Sequence, residues 1–316
     1  MVKAKLDKVR SRYYIRPGPV RSLVPTFHVP KGEEDVRMVY NGRASGLNSA
    51  LWSPHFGLPT MRHSLRSLLP GYFQCDMDVG EMFLNFWLHR FLRPYVGVDV
   101  THVRAVGRNS PEWERDRRRN WEHWSRNCMG LRDSPYRSLQ LMTKAKYAAY
   151  GNRRCPKNPF RWEKVILNLP GAKDYDPTLP WVCKLRSDGK IACDKYIYID
   201  DGRLTGPTKL EAWLAARRVC SVLGYFGIQE APRKRYEPLQ EPSAWAGTVT
   251  KTSGGAVVAT VTKEKWAKSQ SMVRELLQLL LAGPMPHKRL EKIRGFLIYV
   301  ARTNRWMTLY LSPFTW

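Results

Sequence analysis

The sequence predicts an α+β fold in which antiparallel strands pack on helices. Residues 195–205 place β-branched and aromatic residues around an Asp-Asp-Gly turn, a pattern that predicts a β-hairpin. A capping box at residues 208–211 then opens a helix that ends near Gly224. Two further stretches, residues 263–282 and 287–302, carry apolar residues at helical spacing. A hairpin followed by helices with one apolar face is typical of a sheet that packs on helices.

The amino-terminal part of the chain predicts fewer regular elements. Residues 1–35 are basic, contain four prolines and lack a clear period, so we expect a largely extended arm. Residues 36–40 predict a strand, and residues 64–69 predict a short helix. An apolar segment interrupted by carboxylates, residues 72–86, predicts a strand that ends near Asp78.

The middle of the chain predicts one long helix and one insert. Ser134 is a good N-cap and Pro135 fits the first helical turn, so we expect a helix from Ser134 to a stop at Gly151. The next segment, about residues 151–194, is loop-rich and contains five prolines. A loop of this length is often functional or disordered. We interpret it as a surface elaboration.

The charge balance indicates a polyanionic partner. The chain has 53 Lys and Arg against 27 Asp and Glu, a formal net charge of +26. Contacts between these cations and phosphates would supply non-specific affinity for nucleic acid that falls with salt. A ribosomal or nucleocapsid-like basic protein is the plainer alternative, but 12 Trp, 15 Tyr and 10 Phe favour a packed core with base-stacking surfaces. For an arginine cluster at residues 115–119, a solvated face and contact with the template are equally good interpretations.

The sequence favours an intracellular, non-secreted protein without membrane contact. Its amino terminus lacks the apolar core of a signal peptide, and no apolar run approaches the roughly 18 residues that a membrane span needs. Its six cysteines are scattered without a Cys-x-x-Cys pair, which fits a reducing compartment. We therefore expect the cytoplasm or the nucleus.

Three carboxylates form the candidate reactive centre. Asp200 and Asp201 alone would favour a plain surface turn, because acids are common in hairpin turns. Asp78 changes this interpretation, since a second strand that ends in an acid beside the hairpin would create a carboxylate cluster. Oxygen ligands of this kind suit Mg²⁺, and two such ions can clamp the attacking and leaving oxygens of a phosphoryl transfer. We expect two Mg²⁺ ions, with Mn²⁺ as a substitute.

Five segments in chain order resemble the motifs of reverse transcriptases. Tyr198-Ile199-Asp200-Asp201 resembles the Tyr-x-Asp-Asp box, and residues 78–83 resemble the first catalytic motif. The other three segments resemble the template- and nucleotide-gripping motif, the fourth motif with its basic end, and the primer grip: residues 128–135, 223–235 and 245–247. The resemblance covers about residues 35–310. It favours the retroelement branch, which includes retroviral, LTR and tyrosine-recombinase-type elements.

The resemblance implies a right-hand polymerase with fingers, a palm whose antiparallel sheet packs on helices, and a helical thumb. The implied parts in chain order are a basic arm at 1–35, fingers at 36–70, palm at 71–103, a fingers insertion at 104–127, palm at 128–262 with the insert at about 151–194, and a thumb-like region at 263–316. The activity implied is RNA-directed DNA synthesis, which extends a primer 3′-hydroxyl with dNTPs. The partners implied are an RNA template and a DNA or RNA primer, and a virus-like particle becomes a further location.

The resemblance also assigns roles to individual residues. Asp78, Asp200 and Asp201 would be catalytic and would hold the metal ions, with the Val79 carbonyl assisting. The residues implied in dNTP binding are Arg37, Phe83, Met129, Gly130 and Lys234. The residues implied in template or primer contact are Arg132, Ser134, Pro135, Tyr198, Trp245 and Gly247. An aromatic ring at Phe83 would crowd a 2′-hydroxyl and favour deoxynucleotides.

Two alternatives remain open at this point. One is a non-catalytic scaffold that derives from a polymerase and binds RNA, which the three acids argue against. The other is an RNA-dependent RNA polymerase, which usually has Gly-Asp-Asp at the hairpin and no bulky aromatic residue at the Phe83 position. The sequence carries no signal for an oligomeric state.

Overall fold

Antiparallel pairing joins all the strands of the computed structural model, which describes residues 2–33, 35–100, 120–283 and 286–311. The strands form one three-stranded sheet of order β1-β6-β5, another of order β4-β10-β9, and three two-stranded pairs, β2-β3, β7-β8 and β11-β12. The strands are β1 Ile15–Pro17, β2 Thr26–Lys31, β3 Asp35–Tyr40, β4 Phe73–Asp78, β5 Gly97–Asp99, β6 Trp121–Trp124, β7 Lys164–Leu167, β8 Val182–Leu185, β9 Asp194–Tyr198, β10 Asp201–Gly206, β11 Thr248–Lys251 and β12 Val258–Val261.

The helices vary from one turn to more than five. They are α1 Val2–Ser11, α2 Leu47–Ala50, α3 Met61–Ser64, α4 Ser134–Tyr150, α5 Lys209–Tyr225, α6 Lys263–Ala282, α7 His287–Ala301 and α8 Met307–Leu311. None of the described helices is both long enough and apolar enough to cross a membrane. The strand predicted at residues 36–40 and the helices predicted to start at Ser134, at the 208–211 capping box and at 263 are confirmed.

The chain folds as two compact units. Unit 1 comprises Met1–Gly57, Val79–Ala149 and Ser221–Glu230, and unit 2 comprises Leu58–Asp78, Tyr150–Cys220 and Ala231–Trp316. The predicted arginine cluster at 115–119 and most of the predicted fingers insertion lie outside the described residues.

Unit 1 has a core that includes the amino-terminal segment. The prediction of an extended arm at residues 1–35 is wrong, because α1 carries Leu6 and Val9 on one face and both side chains are buried in the core cluster of this unit. The spacing of three residues places the two side chains one above the other on a helix. In the same core Tyr40 and Trp124 meet edge to face, with ring centroids 5.0 Å apart.

Unit 2 is built on the β4-β10-β9 sheet. On one face of the sheet Met77, Ile197 and Leu204 are buried, and the Cys220 thiol of α5 lies 3.9 Å from the Met77 sulfur. Close approach of α5 requires a glycine at Gly206, where an added Cβ would lie 2.9 Å from the Ala212 backbone nitrogen. The opposite face carries polar residues along β4 and β10. One apolar face and one polar face are the usual pattern of an antiparallel sheet.

The insert at about residues 151–194 contains one hairpin that was not predicted. Strands β7 and β8 pair in it, and Cys183 and Leu185 pack with Leu68, Tyr72 and Ile191. The rest of the insert is turns and loops, as predicted. At the carboxyl end, α7 and α8 bury Ile293, Leu297, Val300 and Met307 in a separate cluster with Met272 of α6.

Candidate active site

The hairpin that carries the acids turns at Ile199 and Asp200. Tyr198 pairs with Asp201, so Asp201 already belongs to β10 and the predicted Asp200-Asp201-Gly202 turn is shifted by one residue. Ile199 adopts φ 57°, in the left-handed region. A β-branched residue rarely adopts this region because its Cβ is crowded there, so the turn is strained. The strain holds Asp200 at the tip of the hairpin, with Asp201 directly behind it.

The strand that ends in Asp78 lies directly beside this hairpin, as predicted. In the antiparallel register Asp201 faces Asp78 across β10 and β4. Residues that face each other in such a ladder have Cα atoms roughly 4.5–5.5 Å apart and share one face of the sheet. The outer end of the ladder therefore carries a pair of like charges, with Asp200 in the adjoining turn.

The surroundings of these acids raise the pKa values of two of them. Burial is the main cause for Asp200, and the charge of Asp78 adds to it, whereas backbone N–H groups and Lys234 partly offset both. The Asp201 side chain reaches solvent, yet desolvation by the protein around it and the charges of Asp200 and Asp78 raise its pKa to about 6. Asp200 and Asp201 are thus harder to ionise, mainly because they are desolvated and further because like charges are close, an arrangement typical of functional sites.

Lys234 brings a cation to the cluster. Its Nζ donates to Asp78 Oδ2 at 2.7 Å. The lysine is the last residue of a short 3₁₀ turn, Pro232–Lys234, and the Ala231 N–H donates to the Asp78 carbonyl at 2.9 Å. The predicted nucleotide-binding lysine therefore lies against one of the three candidate carboxylates.

A buried ion pair lies one step further along the same two strands. Arg203 Nε and Nη2 donate to the two oxygens of Asp76 at 2.7 and 2.8 Å. The guanidinium also donates to Thr250 Oγ1 at 2.8 Å and to the Ser243 carbonyl at 2.6 Å. Arg203 is fully buried. Sequence analysis did not identify this residue, although its position two residues after Asp201 placed it on the same face of a strand.

Trp245 forms a hydrogen bond with the hairpin that carries the acids. Its indole N–H donates to the Asp201 carbonyl at 3.1 Å, and only 3% of the residue is exposed. Contact of Trp245 with template or primer stays a prediction, and the burial of Trp245 leaves almost no indole surface for such a contact. Its role in this structure is to hold the backbone of Asp201.

Gly247 links the primer-grip segment to the carboxyl-terminal helices. Ala246 and Gly247 form a two-residue turn with φ of 47° and 83°, between Trp245 and Thr248, which form a bridge. An added Cβ at Gly247 would lie 1.7 Å from the Tyr299 hydroxyl. The Gly247 carbonyl accepts a hydrogen bond from that hydroxyl at 2.8 Å. Sequence analysis missed Tyr299, which α7 provides.

In unit 1 the predicted nucleotide-binding residues Met129 and Gly130 pack against β3. The Tyr40 N–H donates to the Met129 carbonyl at 3.0 Å. Gly130 has φ 110°, and an added Cβ would lie 1.9 Å from the Tyr40 carbonyl oxygen, so only glycine fits. Arg37 lies on the same strand with an exposed side chain. Met129 and Gly130 therefore pack on the backbone of β3, and Arg37 lies on the same strand.

The other predicted residues of unit 1 differ in accessibility. Arg132 is exposed, and its N–H donates to Asn48 Oδ1 at 2.9 Å. Ser134 is buried at the start of α4, and its contact with template or primer stays a prediction. Pro135 and Phe83 are half-buried. Val79 is buried and forms a bridge with Glu230, in which the flanking Gly80 N–H donates to Gln229.

The donor set suits a hard divalent cation. Carboxylate oxygens are the ligands that Mg²⁺ and Mn²⁺ favour, and like charges that raise each other's pKa are relieved by a cation. In the described part of the chain, no three His, Cys, Asp and Glu side chains are already drawn into a metal-binding geometry. Lys234 accounts for part of this, because it holds Asp78 in an ion pair. Metal binding at Asp78, Asp200 and Asp201 stays a prediction.

Comparison with known proteins gives a match of fold. No family model and no curated protein matches the sequence. Solved structures of the foamy viral protease-reverse transcriptase do match, each over 94% of this chain. The form named dRH in complex with double-stranded DNA gives a TM-score of 0.59 at 15% identity. The chain has a reverse-transcriptase fold.

Two further structures agree with this match. The complex with an RNA/DNA hybrid gives a TM-score of 0.57 and a second complex with double-stranded DNA gives 0.56, both at 16% identity. The chain spans 39%, 30% and 47% of the length of these three proteins. The reverse-transcriptase fold thus covers nearly all of the chain, which corresponds to less than half of each viral protein.

Proposed function

We propose that the chain is an RNA-directed DNA polymerase of a retroelement, which extends a primer 3′-hydroxyl with dNTPs. The observation that carries the proposal is the outer rung of the β4–β10 ladder, where Asp78 and Asp201 face each other beside Asp200 in a strained turn. Like charges in register destabilise a sheet, so a site of this kind fits a function that brings cations. The reverse-transcriptase fold supports the same conclusion.

The chain's own residues divide the work of nucleotidyl transfer. Asp78 and Asp200 would hold the divalent ions, with the Val79 carbonyl assisting and Asp201 binding more weakly. When bound, these ions lower the pKa of the primer hydroxyl and neutralise the triphosphate. Lys234 lies 2.7 Å from Asp78, where its charge would also neutralise the departing pyrophosphate. The indole of Trp245 keeps the Asp201 backbone in position.

Residues of unit 1 would select and hold the incoming nucleotide. Arg37 would bind its phosphates, and Met129 and Gly130, which pack on β3, would contact it. Phe83 would crowd a 2′-hydroxyl and thereby favour deoxynucleotides.

The nucleic-acid partners would be an RNA template and a DNA or RNA primer. The viral structures of the same fold contain double-stranded DNA or an RNA/DNA hybrid. The net charge of +26 supports binding to such polyanions. Arg132 and Tyr198 have exposed side chains that can contact the strands, whereas Gly247 would act through its backbone.

Primer extension on a primed RNA template tests the proposal. With Mg²⁺ and dNTPs we expect extension by the wild type, and a loss on the order of a thousandfold or more in Asp200→Asn/Asp201→Asn. The matched control is Asp7→Asn/Asp174→Asn, which removes two charges from exposed acids that do not belong to the hairpin and should extend normally.

Other outcomes would favour the alternatives. Extension with ribonucleotides in preference to dNTPs would indicate an RNA polymerase. A folded wild-type protein that binds the template but extends no primer, with Mg²⁺ or Mn²⁺, would indicate a scaffold. Activity that persists in Asp200→Asn/Asp201→Asn would contradict the assignment of the site.

A further inference from the structure

Three segments of unit 1 that are far apart in the sequence lie side by side in the structure. Trp87 and Arg126 form a bridge, in which the Leu88 N–H donates to the Ser125 carbonyl and the Asn127 N–H donates to the Phe86 carbonyl, both at 2.9 Å. The Ser125 N–H in turn donates to the Tyr14 carbonyl at 2.8 Å, next to β1. Backbone hydrogen bonds therefore fix the relative positions of the side chains that these segments carry.

Three guanidinium groups surround one exposed indole in this region. The Cζ atoms of Arg126, Arg16 and Arg93 lie 3.6, 5.3 and 5.5 Å from the centroid of the Trp87 ring. Trp87 is 52% exposed. These four residues are called the Trp87 platform below. A single cation over an indole is common, whereas three like charges over one ring repel each other.

The platform lacks internal charge compensation. Among the described residues no Asp or Glu forms an ion pair with Arg16, Arg93 or Arg126, and each of them donates instead to a backbone carbonyl. The nearby acids have other partners, since Glu81 pairs with Arg12 and Glu122 pairs with Arg10.

The charges of the platform arginines also lower pKa values in this region. Burial lowers the pKa of Arg126, and the charges of Arg16 and Arg93 lower it further. The same two arginines add to the effect of burial in lowering the pKa of His123. A cluster of cations without an acidic partner among the described residues attracts anions.

A second aromatic ring is held beside the platform at a conformational cost. Tyr13 lies just after α1 with φ 58°, where a helix end usually has glycine. The Tyr13 N–H donates to Arg10 and the Tyr14 N–H donates to Val9, the hydrogen bonds of a Schellman motif. The Tyr13 side chain is 67% exposed, and its ring lies 5.7 Å from the Arg16 Cζ. A strained residue that exposes an aromatic ring is typical of a functional surface.

We propose that the Trp87 platform binds single-stranded nucleic acid, with the arginines on its phosphates and exposed aromatic rings stacking on its bases. Arginine pairs with phosphates through two parallel hydrogen bonds, and a base can stack on an aromatic side chain or on a guanidinium plane. An acidic protein segment would satisfy the charges but would not use Trp87 and Tyr13, whose rings match the π-face of a base. The inference rests on the proposed function in one respect, namely that the partner is a nucleic acid.

Equilibrium binding of the 316-residue chain to a labelled single-stranded oligouridylate of about 12 nucleotides tests this inference. The measurement is fluorescence anisotropy across a range of salt concentrations, made in the Asp200→Asn/Asp201→Asn background so that the result does not depend on polymerase activity. We expect Arg16→Gln/Arg93→Gln to weaken binding and to reduce the slope of log affinity against log salt by about 0.7 for each arginine. We expect Trp87→Ala to weaken binding about tenfold and Trp87→Phe to restore most of it.

The matched control removes two cations from the same unit. Lys3→Gln/Lys8→Gln changes the net charge equally, at two exposed lysines of α1 that do not belong to the platform. If the two double variants lose the same affinity and slope, only the net charge matters and the inference is wrong. A 5-iodouridine version of the probe should also cross-link to the peptide that contains Trp87, and cross-links that all lie elsewhere would overturn the proposal. Failure of primer extension with intact platform binding would contradict only the proposed polymerase activity.

Discussion

Two neighbouring rungs of the β4–β10 ladder carry opposite electrostatics. In the outer rung Asp78 faces Asp201, and in the inner rung Asp76 faces Arg203. The two rungs lie on the same face, two residues or about 6.6 Å apart along the strands. The inner pair is buried and bonded through both carboxylate oxygens, whereas in the outer rung desolvation and the charges of Asp200 and Asp78 raise the pKa of Asp201. One ladder thus combines a rung of paired opposite charges with a rung of like charges.

The largest expected effect comes from breaking the inner rung. Arg203→Met leaves the Asp76 carboxylate without its guanidinium in a largely buried position, and loss of one partner of a buried ion pair costs about 3–5 kcal/mol. The free energy of unfolding in urea should fall by that amount. Extension activity should fall with it, since Thr250 and the Ser243 carbonyl lose their donor as well.

The double variant Arg203→Met/Asp76→Leu shows whether charge is the cause. Two apolar residues leave no unpaired charge behind, so we expect at least half of the lost stability to return. A single variant that loses less than about 1 kcal/mol would show that the inner rung does not stabilise the sheet.

A smaller effect is expected at the bond that ties the outer rung to the primer-grip segment. Trp245→Phe removes the N–H that donates to the Asp201 carbonyl, and one buried hydrogen bond contributes about 1 kcal/mol. We expect this loss of unfolding free energy together with slower extension at saturating dNTP. Trp181→Phe, at an exposed tryptophan of the insert, is the control and should change neither. Equal extension rates in the two variants would remove Trp245 from the support of the site.

The part of the site that was predictable from sequence is the part made by neighbours in the chain. The hairpin at 195–205 follows from local propensity, and Asp78 beside it follows from a strand that ends in an acid. The partner of Asp76 and the burial of Trp245 were not predictable, because one depends on the register of β4 and β10 and the other on the packing of the segment before β11 against β10. The strained φ of Ile199 likewise comes from the register of the hairpin, which places Asp201 opposite Tyr198.

The amino-terminal region shows the same limit in another form. Its prolines predicted an extended arm. Leu6 and Val9 instead form the apolar face of a helix, which is stabilised by packing in the core. The Trp87 platform collects residues from three separate segments, so no sequence window contains it. Trp124, in contrast to Trp87, is buried in the core. Whether a tryptophan is exposed and can stack on a base depends on tertiary packing alone.

The smallest expected effect has the opposite sign and lies in the outer rung. Asp201→Asn removes the like charge that faces Asp78, so the variant should be more stable than the wild type at neutral pH while it extends primers poorly. Cross-strand charge pairs contribute about 0.2–1 kcal/mol, and the low end of this range applies here because Asp201 reaches solvent and salt screens it. Substitution in the two rungs should therefore change stability in opposite directions.

The pH dependence of this gain identifies its source. The pKa of Asp201 is raised from 3.8 to about 6 by the fold, so the folded state holds the proton more tightly than the unfolded chain does. The stabilising contribution of the protonated carboxyl is present below about pH 4 and is lost as the pH rises through about 6. The stability difference between Asp201→Asn and the wild type should therefore grow between these two values and stay constant above them. A difference that is the same at pH 4 and pH 7 would mean that the fold does not raise the pKa of Asp201, so that neither desolvation nor the neighbouring charges disfavour its ionised form.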